Sequence, residues 1–231
     1  MSGQAKQDEE AAGADIAAAV GIPLQVFDFT IGGRSWHIQA ARDHDSLMAA
    51  SDRFFTFPFG LILWESAPAL AAELGEEPER VAGRSVLELG AGVGLPGIVA
   101  QGAGAMVRQT DHISEALDLC RANAEANGVD GIELALANWD AWTDDGRYDV
   151  IIGSDVVYER SAHAPLAAIL ERNLALGGRA IFTDQGRIDT PRFVADLTAA
   201  GWQSTQRRRL EPALMLGGAD TVWIDVIELW R

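Results

Sequence analysis

The chain predicts an α/β fold in which a mostly parallel sheet carries helices on both faces. Three observations predict it. Residues 86–98, reading Val-Leu-Glu-Leu-Gly-Ala-Gly-Val-Gly-Leu-Pro-Gly-Ile, combine a buried strand, a glycine turn and the start of a helix. From Gly83 onward, apolar runs of strand length alternate with segments of helical period. The last two runs, joined by a loop containing Gly217 and Gly218, predict an antiparallel pair at the end of the sheet.

Taken in order, residues 1–20 mix Gln, Asp, Glu, Gly and Ala without an apolar face and read as a mobile acidic tail. Residues 24–30 alternate with a period near two, Gly32-Gly33 can turn, and 35–38 continue the pattern, so a β-hairpin is expected. His37 in its second strand reads as a surface or packing residue. Val86, Leu87 and Leu89 suit a central parallel strand. Pro96 suits the first turn of the helix that follows, which ends near Gly102. A second strand at 106–110 runs into Asp111. A helix at 114–127 places Ala116, Leu117, Cys120 and Ala124 on one face, with Gly128 as its stop. Strands follow at 132–136 and 148–153, a helix near 163–174, a strand at 179–183 and a helix at 191–200. Strands at 202–209 and 221–229 close the chain. No internal repeat or inter-domain linker is visible.

Composition limits the function classes. The formal charge of −16 repels phosphate backbones, so nucleic-acid binding needs a concentrated basic patch. Only Arg207-Arg208-Arg209 offers one, and it reads as a solvated strand or turn that offsets neighbouring acids. An acidic surface instead steers cationic substrates, such as a lysine side chain or a basic protein. No apolar run approaches the ~18 residues of a membrane helix, and the polar start lacks the pattern of a secretory signal. Cys120 stands alone, which leaves no internal disulfide and no cysteine metal site. A cytoplasmic location and no metal are expected.

Gly90, Gly92 and Gly94 allow positive φ and close approach of a ligand, and Glu88 at the strand's end is expected to point an acid into the same pocket. Two cofactors compete for such a turn. Gly92 to Gly97 fits G-x-G-x-x-G, with Asp111 placed to hold a dinucleotide ribose. Read from Glu88, the same run resembles motif I of class I S-adenosylmethionine-dependent methyltransferases, an acid followed by x-G-x-G-x-G. A glycine-rich turn without ligand is the third reading. Ligands of open parallel sheets bind beyond the carboxyl ends of the strands, so strand-end residues belong together. Asp111 can accept from both ribose hydroxyls or serve as a helix N-terminal acid. Trp139 can cover an adenine or cap the core, and Asn138 can read the adenine edge. Asp155 and Tyr158 follow the fourth strand, near a reacting centre.

Leu63-Trp64-Glu65-Ser66-Ala67, the run 86–97, Asn138-Trp139 and Ser154-Asp155-Val156-Val157-Tyr158 together resemble four motifs of the family-16 methyltransferases, in order over residues 55–183. The family includes enzymes that methylate lysines of chaperones, ATPases, elongation factors and the electron-transfer flavoprotein. The resemblance implies a Rossmann-like seven-stranded sheet and an S-adenosyl-L-methionine cofactor. It implies a methyltransferase domain at 61–231, preceded by the N-terminal hairpin read from the alternation and a lid-like extension at 21–60, although the region before Phe55 and that after Thr183 depart from the family's pattern. By the same resemblance Trp64, Glu88, Gly90, Gly92, Gly94, Asp111, Asn138, Trp139 and Ser154 bind cofactor, with Glu65 near the same pocket. Asp155 and Tyr158 position the acceptor. Phe54, Phe55, Phe57 and Phe59 can line the entrance or simply pack. The expected activity is N-methylation of a lysine on a partner protein. The alternatives are a small-molecule methyltransferase and an inactive cofactor-binding interaction protein.

Overall fold

The computed structural model describes residues 21–42, 45, 47–48, 57–214 and 221–231. The expected tail at 1–20, Phe54, Phe55, Gly217 and Gly218 lie outside the described residues. Hairpin strands β1 (Leu24–Ile31) and β2 (Arg34–Ala41) come first, followed by α1 (Ser66–Glu76), β3 (Ser85–Leu89), α2 (Leu95–Gly102), β4 (Met106–Asp111) and α3 (Ser114–Ala126). Then come β5 (Glu133–Leu136), β6 (Tyr148–Ser154), α4 (Arg160–Asn173), β7 (Leu174–Asp184), α5 (Thr190–Ala199), β8 (Gln203–Pro212) and β9 (Thr221–Trp230).

Strands β3 to β9 form one seven-stranded sheet in the order β5-β4-β3-β6-β7-β9-β8. The first five strands of that order pair in parallel, whereas β9 runs antiparallel between β7 and β8. Side chains that alternate along each strand build two cores. Val86, Val107, Val150, Ile152 and Val226 meet Leu70 and Leu74 of α1 and Ala100 of α2 on one face. Leu87, Leu89, Ile151, Phe182 and Ile227 meet Leu166 and Ile169 of α4 and Phe193 and Leu197 of α5 on the other. Chain order reverses on either side of β3, between β4 and β6, and a crevice opens at such a switch point.

Two elements depart from the sequence reading. Helix α1 was not expected. Residues Ser66 to Leu74 are all buried, so it has no polar face and no amphipathic period to betray it. Strand β7 starts at Leu174 instead of Arg179. The pairing jumps from Tyr148–Leu174 to Val150–Arg179, and this bulge absorbs the Gly177-Gly178 pair.

The hairpin docks on α3 through two asparagines one helical turn apart. Asn123 Oδ1 accepts from the Gln39 N–H at 2.8 Å, and its Nδ2 donates to the Gln39 carbonyl at 3.0 Å. Asn127 does the same for His37, at 2.9 and 2.7 Å. Four helical residues rise about 6 Å and two strand residues about 6.8 Å, so i and i+4 on the helix match i and i+2 on the strand. The side-chain amides thereby replace a missing neighbour strand along the edge of β2. His37 is exposed, the surface alternative of the two expected, its Nδ1 lying 2.5 Å from Asp28 Oδ1.

Asn123 also donates to the Val93 carbonyl at 2.9 Å, which ties the hairpin to the glycine turn after β3. Asn123→Ala strands these buried partners and is expected to cost at least about 2 kcal/mol in urea denaturation. A loss below about 0.5 kcal/mol would contradict the docking role.

Candidate active site

The turn after β3 is braced from two sides. Gly90 and Gly92 have φ of 64° and 55°, a left-handed conformation open to glycine. A Cβ on Gly90 would lie 2.9 Å from Val156 Cγ1 and 3.4 Å from the Trp139 ring, and one on Gly92 3.1 Å from the Gly60 carbonyl oxygen. Asp111 Oδ2 accepts from the Gly92 N–H at 2.9 Å, and Oδ1 accepts from the Ile113 N–H at 3.0 Å. One carboxylate thus fixes the glycine turn and the start of α3 while lining the cleft beside them. A carboxylate has about four lone-pair sites, so acceptor capacity remains. Next to it, the hydrogen bond with Asp111 raises the pKa of His112, against the effect of burial.

This cleft, about 430 Å³, opens beyond the carboxyl ends of β3, β4 and β6. Of the residues singled out from sequence, Trp64, Gly90, Gly92, Asp111, Asn138, Trp139, Ser154, Asp155 and Tyr158 all line it. Asn138 accepts from the Asp140 N–H at 2.9 Å and so caps the short turn Trp139–Ala141 that carries the indole. Phe59 sits 6.2 Å from Trp64 and 6.3 Å from Tyr158 between ring centroids, so three aromatic rings surround the mouth. Phe57 packs against Phe59 at 4.6 Å between ring centroids, with the rings tilted by 53°.

Asp155 is the non-glycine residue with positive φ among the described residues, at 50°. Its N–H donates to the Thr183 carbonyl at 2.9 Å, which turns the chain off β6 and aims the side chain at the end of β7. Burial raises its carboxyl above the ordinary range, with nearby Arg187 acting against that shift. Burial likewise raises the Tyr158 hydroxyl, which stays protonated at neutral pH.

Two expected residues lie outside the cleft. Glu88 does not reach the pocket. It is fully buried beneath the turn, where Oε2 accepts from the Gly97 N–H at 3.1 Å and Gln109 Nε2 at 2.7 Å. Gly94 caps α2, and a Cβ there would meet Cys120 Sγ at 2.9 Å instead of a ligand. The physical reason is the pleat: Glu88 faces away from Leu87 and Leu89, towards α2. Sequence reasoning also missed Gly60, Gln185 and Arg187. The strand-end rule used for Asp111 and Asp155 would have found Gln185, which follows β7 directly. Arg207, Arg208 and Arg209 pair with Glu73, Asp225 and Glu76, so the one basic run is neutralised by acids as expected.

Desolvation pushes Glu88 from 4.5 up to about 8. A raised folded-state pKa means that its contribution to stability is complete below pH 4.5 and is lost as pH climbs towards 8. Glu88→Gln keeps an acceptor for Gly97 and removes the titration. The melting temperature of the variant relative to wild type is expected to rise between pH 5 and 9; parallel profiles would show that Glu88 titrates normally.

Residues 43–194 match a protein family described as lysine methyltransferase. A histone-arginine methyltransferase of Xenopus laevis is 32% identical over 124 residues, covering 51% of this chain and 53% of its own. A protein N-lysine methyltransferase of Mus musculus is 32% identical over 154 residues, 62% of this chain and 64% of its own. The chain spans about half the length of the first of these curated relatives. Among solved structures, a 16S rRNA methyltransferase of T. thermophilus in complex with AdoMet and guanosine superposes with a TM-score of 0.62. It is 19% identical and covers 90% of this chain and 50% of its own, a likeness of fold. The match over residues 43–194 takes in the glycine turn, the Asn138-Trp139 pair and the Asp155–Tyr158 segment, and by it the chain belongs to the lysine methyltransferase family.

Proposed function

We propose that the protein is an S-adenosylmethionine-dependent N-methyltransferase acting on a lysine of a partner protein. The observation that carries the reading is one cleft lined by two unlike groups of residues. Gly90, Gly92, Asp111 and Trp139 offer a cradle for a cofactor, and Trp64, Asp155 and Tyr158 a mouth for an acceptor. The cradle fits the cofactor on three counts. Asp111 retains acceptor capacity for a ribose, the Trp139 indole offers a flat face to adenine, and the glycines leave backbone where a side chain would intrude. S-adenosylmethionine, when bound, supplies an electrophilic sulfonium methyl. Residues 61–231 are then the methyltransferase domain, and 21–60 an extension that brings Phe59 and Gly60 over the cleft.

The chain's own task is alignment and charge control. A lysine must arrive as the neutral amine, and its ordinary pKa is about 10.4. Phe59, Trp64 and Tyr158 exclude water around the amine and lower that value by desolvation. The Tyr158 hydroxyl stays protonated and can orient the nitrogen, and holding the amine in line with the methyl supplies much of the acceleration. A net charge of −16 favours encounter with a basic protein segment. Lysine as acceptor is supported by the family and by relatives described as N-lysine methyltransferases. Arginine is the second reading, favoured by relatives described as histone-arginine methyltransferases. Among the described residues no helix is long and apolar enough to cross a membrane. The reading places the reaction in the cytoplasm, where a free thiol such as Cys120 persists.

The chain's single lysine is Lys6, so Lys6→Arg yields a lysine-free enzyme with no self-methylated lysine background. Incubated with methyl-labelled cofactor and separate protein and metabolite fractions, this variant is expected to form methyl-lysine in protein. Methyl-arginine alone would shift the acceptor to arginine, and label confined to metabolites would remove the protein substrate. Trp139→Ala is expected to weaken S-adenosylhomocysteine binding about tenfold in calorimetry, since one base–aromatic stack is worth about 1–3 kcal/mol. Unchanged affinity would assign the indole to packing.

A further inference from the structure

The loop after β7 reaches the mouth of the cleft. Asp184, fully buried, accepts from the Arg187 N–H at 2.6 Å and from Thr190 Oγ1 at 2.9 Å, which fixes the turn. From it Gln185 Nε2 donates to Asp155 Oδ2 at 2.9 Å and to Glu65 Oε2 at 3.0 Å, bridging two buried carboxylates. Arg187 Nε lies 3.3 Å from Asp155 Oδ1, and its guanidinium carbon 5.5 Å from the centroid of Trp64. A cation is therefore close to both the carboxylate and an aromatic ring that lines the cleft.

We propose that Arg187 is an electrostatic positioning residue: it cancels the charge of Asp155 at the acceptor mouth of the cleft, so that an incoming lysine is not held there as its ammonium. The inference rests on the lysine methyltransferase reading above and extends it to a residue outside the cleft lining.

The chemistry makes this charge matter. The acceptor ammonium first loses a proton to solvent. The nitrogen lone pair then forms the N–C bond as the S–C bond breaks and its electrons return to sulfur, leaving a thioether and a methylated ammonium. An uncompensated carboxylate within about 4–6 Å favours the charged amine by 1–3 pH units, and each unit removes about nine-tenths of the nucleophile near neutral pH. Asp155 lines the cleft and without a cation would act in this way, and Arg187 is the cation facing it. The other charges around the mouth have separate attachments. Glu65 accepts from Gln185 and from the Leu214 N–H at 3.2 Å, and Asp184 is committed to its own turn. Glu159 follows Tyr158 on the exposed rim, and Asp111, whose charge also acts on Tyr158, is held by the Gly92 and Ile113 N–H groups and lies against His112. Without Arg187, the ammonium of the acceptor takes its place against Asp155: binding survives and reaction slows.

Two measurements test this. In unliganded protein, carbon NMR of the Asp155 carboxyl is expected to show a midpoint about one unit higher in Arg187→Met than in wild type. Arg187→Lys, which keeps the charge, should return it to near the wild-type value. An unmoved midpoint overturns the proposal without reference to any cofactor. With core histones as acceptor and methyl-lysine as the counted product, Arg187→Met should lower kcat about tenfold at pH 7.5 with no rise in KM. Its pH profile should shift upward by about one unit. A superimposable profile, or a rise in KM with the profile unmoved, also overturns it. Calorimetry with S-adenosylhomocysteine separates the two layers: absent binding to wild type removes the methyltransferase reading, whereas the carboxyl titration still decides the electrostatics of Arg187.

Discussion

The Asp111 carboxylate is the contact on which the site depends. Its two oxygens hold the Gly92 N–H and the Ile113 N–H, joining the turn after β3 to the start of α3 across neighbouring strands. The same helix carries Asn123, which grips both β2 and the Val93 carbonyl within that turn. Hairpin, helix and glycine turn therefore form one braced unit. Gly60 closes it from above, its carbonyl seated against Gly92 where a side chain would not fit. A ligand in this cleft meets a surface already organised by the chain's own hydrogen bonds, which limits the ordering that binding has to impose.

The mouth of the cleft is organised by charge. Asp155 and Glu65 are both nearly buried, and carboxylates in such places persist only with donors around them. The loop after β7 supplies those donors as an amide from Gln185 and a guanidinium from Arg187. Below the turn, Glu88 meets the same constraint with a pKa raised to about 8 and bonds from Gly97 and Gln109. Three acids close to one cleft are thus each met by donors: two backbone N–H groups for Asp111, Gln185 and Arg187 for Asp155, and Gly97 and Gln109 for Glu88. Burial raises the protonation equilibrium of Asp155 and Glu88.

Much of this was legible in the sequence because strand order and strand ends are local signals. The run 86–98 fixed the register of β3 and its turn, and the strand-end rule brought Asp111, Trp139, Asp155 and Tyr158 together before any coordinates. What stayed hidden depends on packing. Helix α1 is buried along Ser66 to Leu74, so no periodicity marks it. Glu88 sits one residue from Leu89 on the opposite side of the pleat, and spacing alone does not tell an acid beneath a turn from one inside a pocket. Gly60 and Arg187 gain their meaning from segments that fold back over the turn and the mouth, at sequence distances that no short motif spans.

The most direct test of the central claim is a crystal structure of the protein with S-adenosylhomocysteine. The account predicts the ribose hydroxyls on Asp111, the adenine against Trp139, and the sulfur between Gly90 and the mouth formed by Trp64, Asp155 and Tyr158. Ligand density elsewhere, or adenine remote from Trp139 with the ribose away from Asp111, would contradict it.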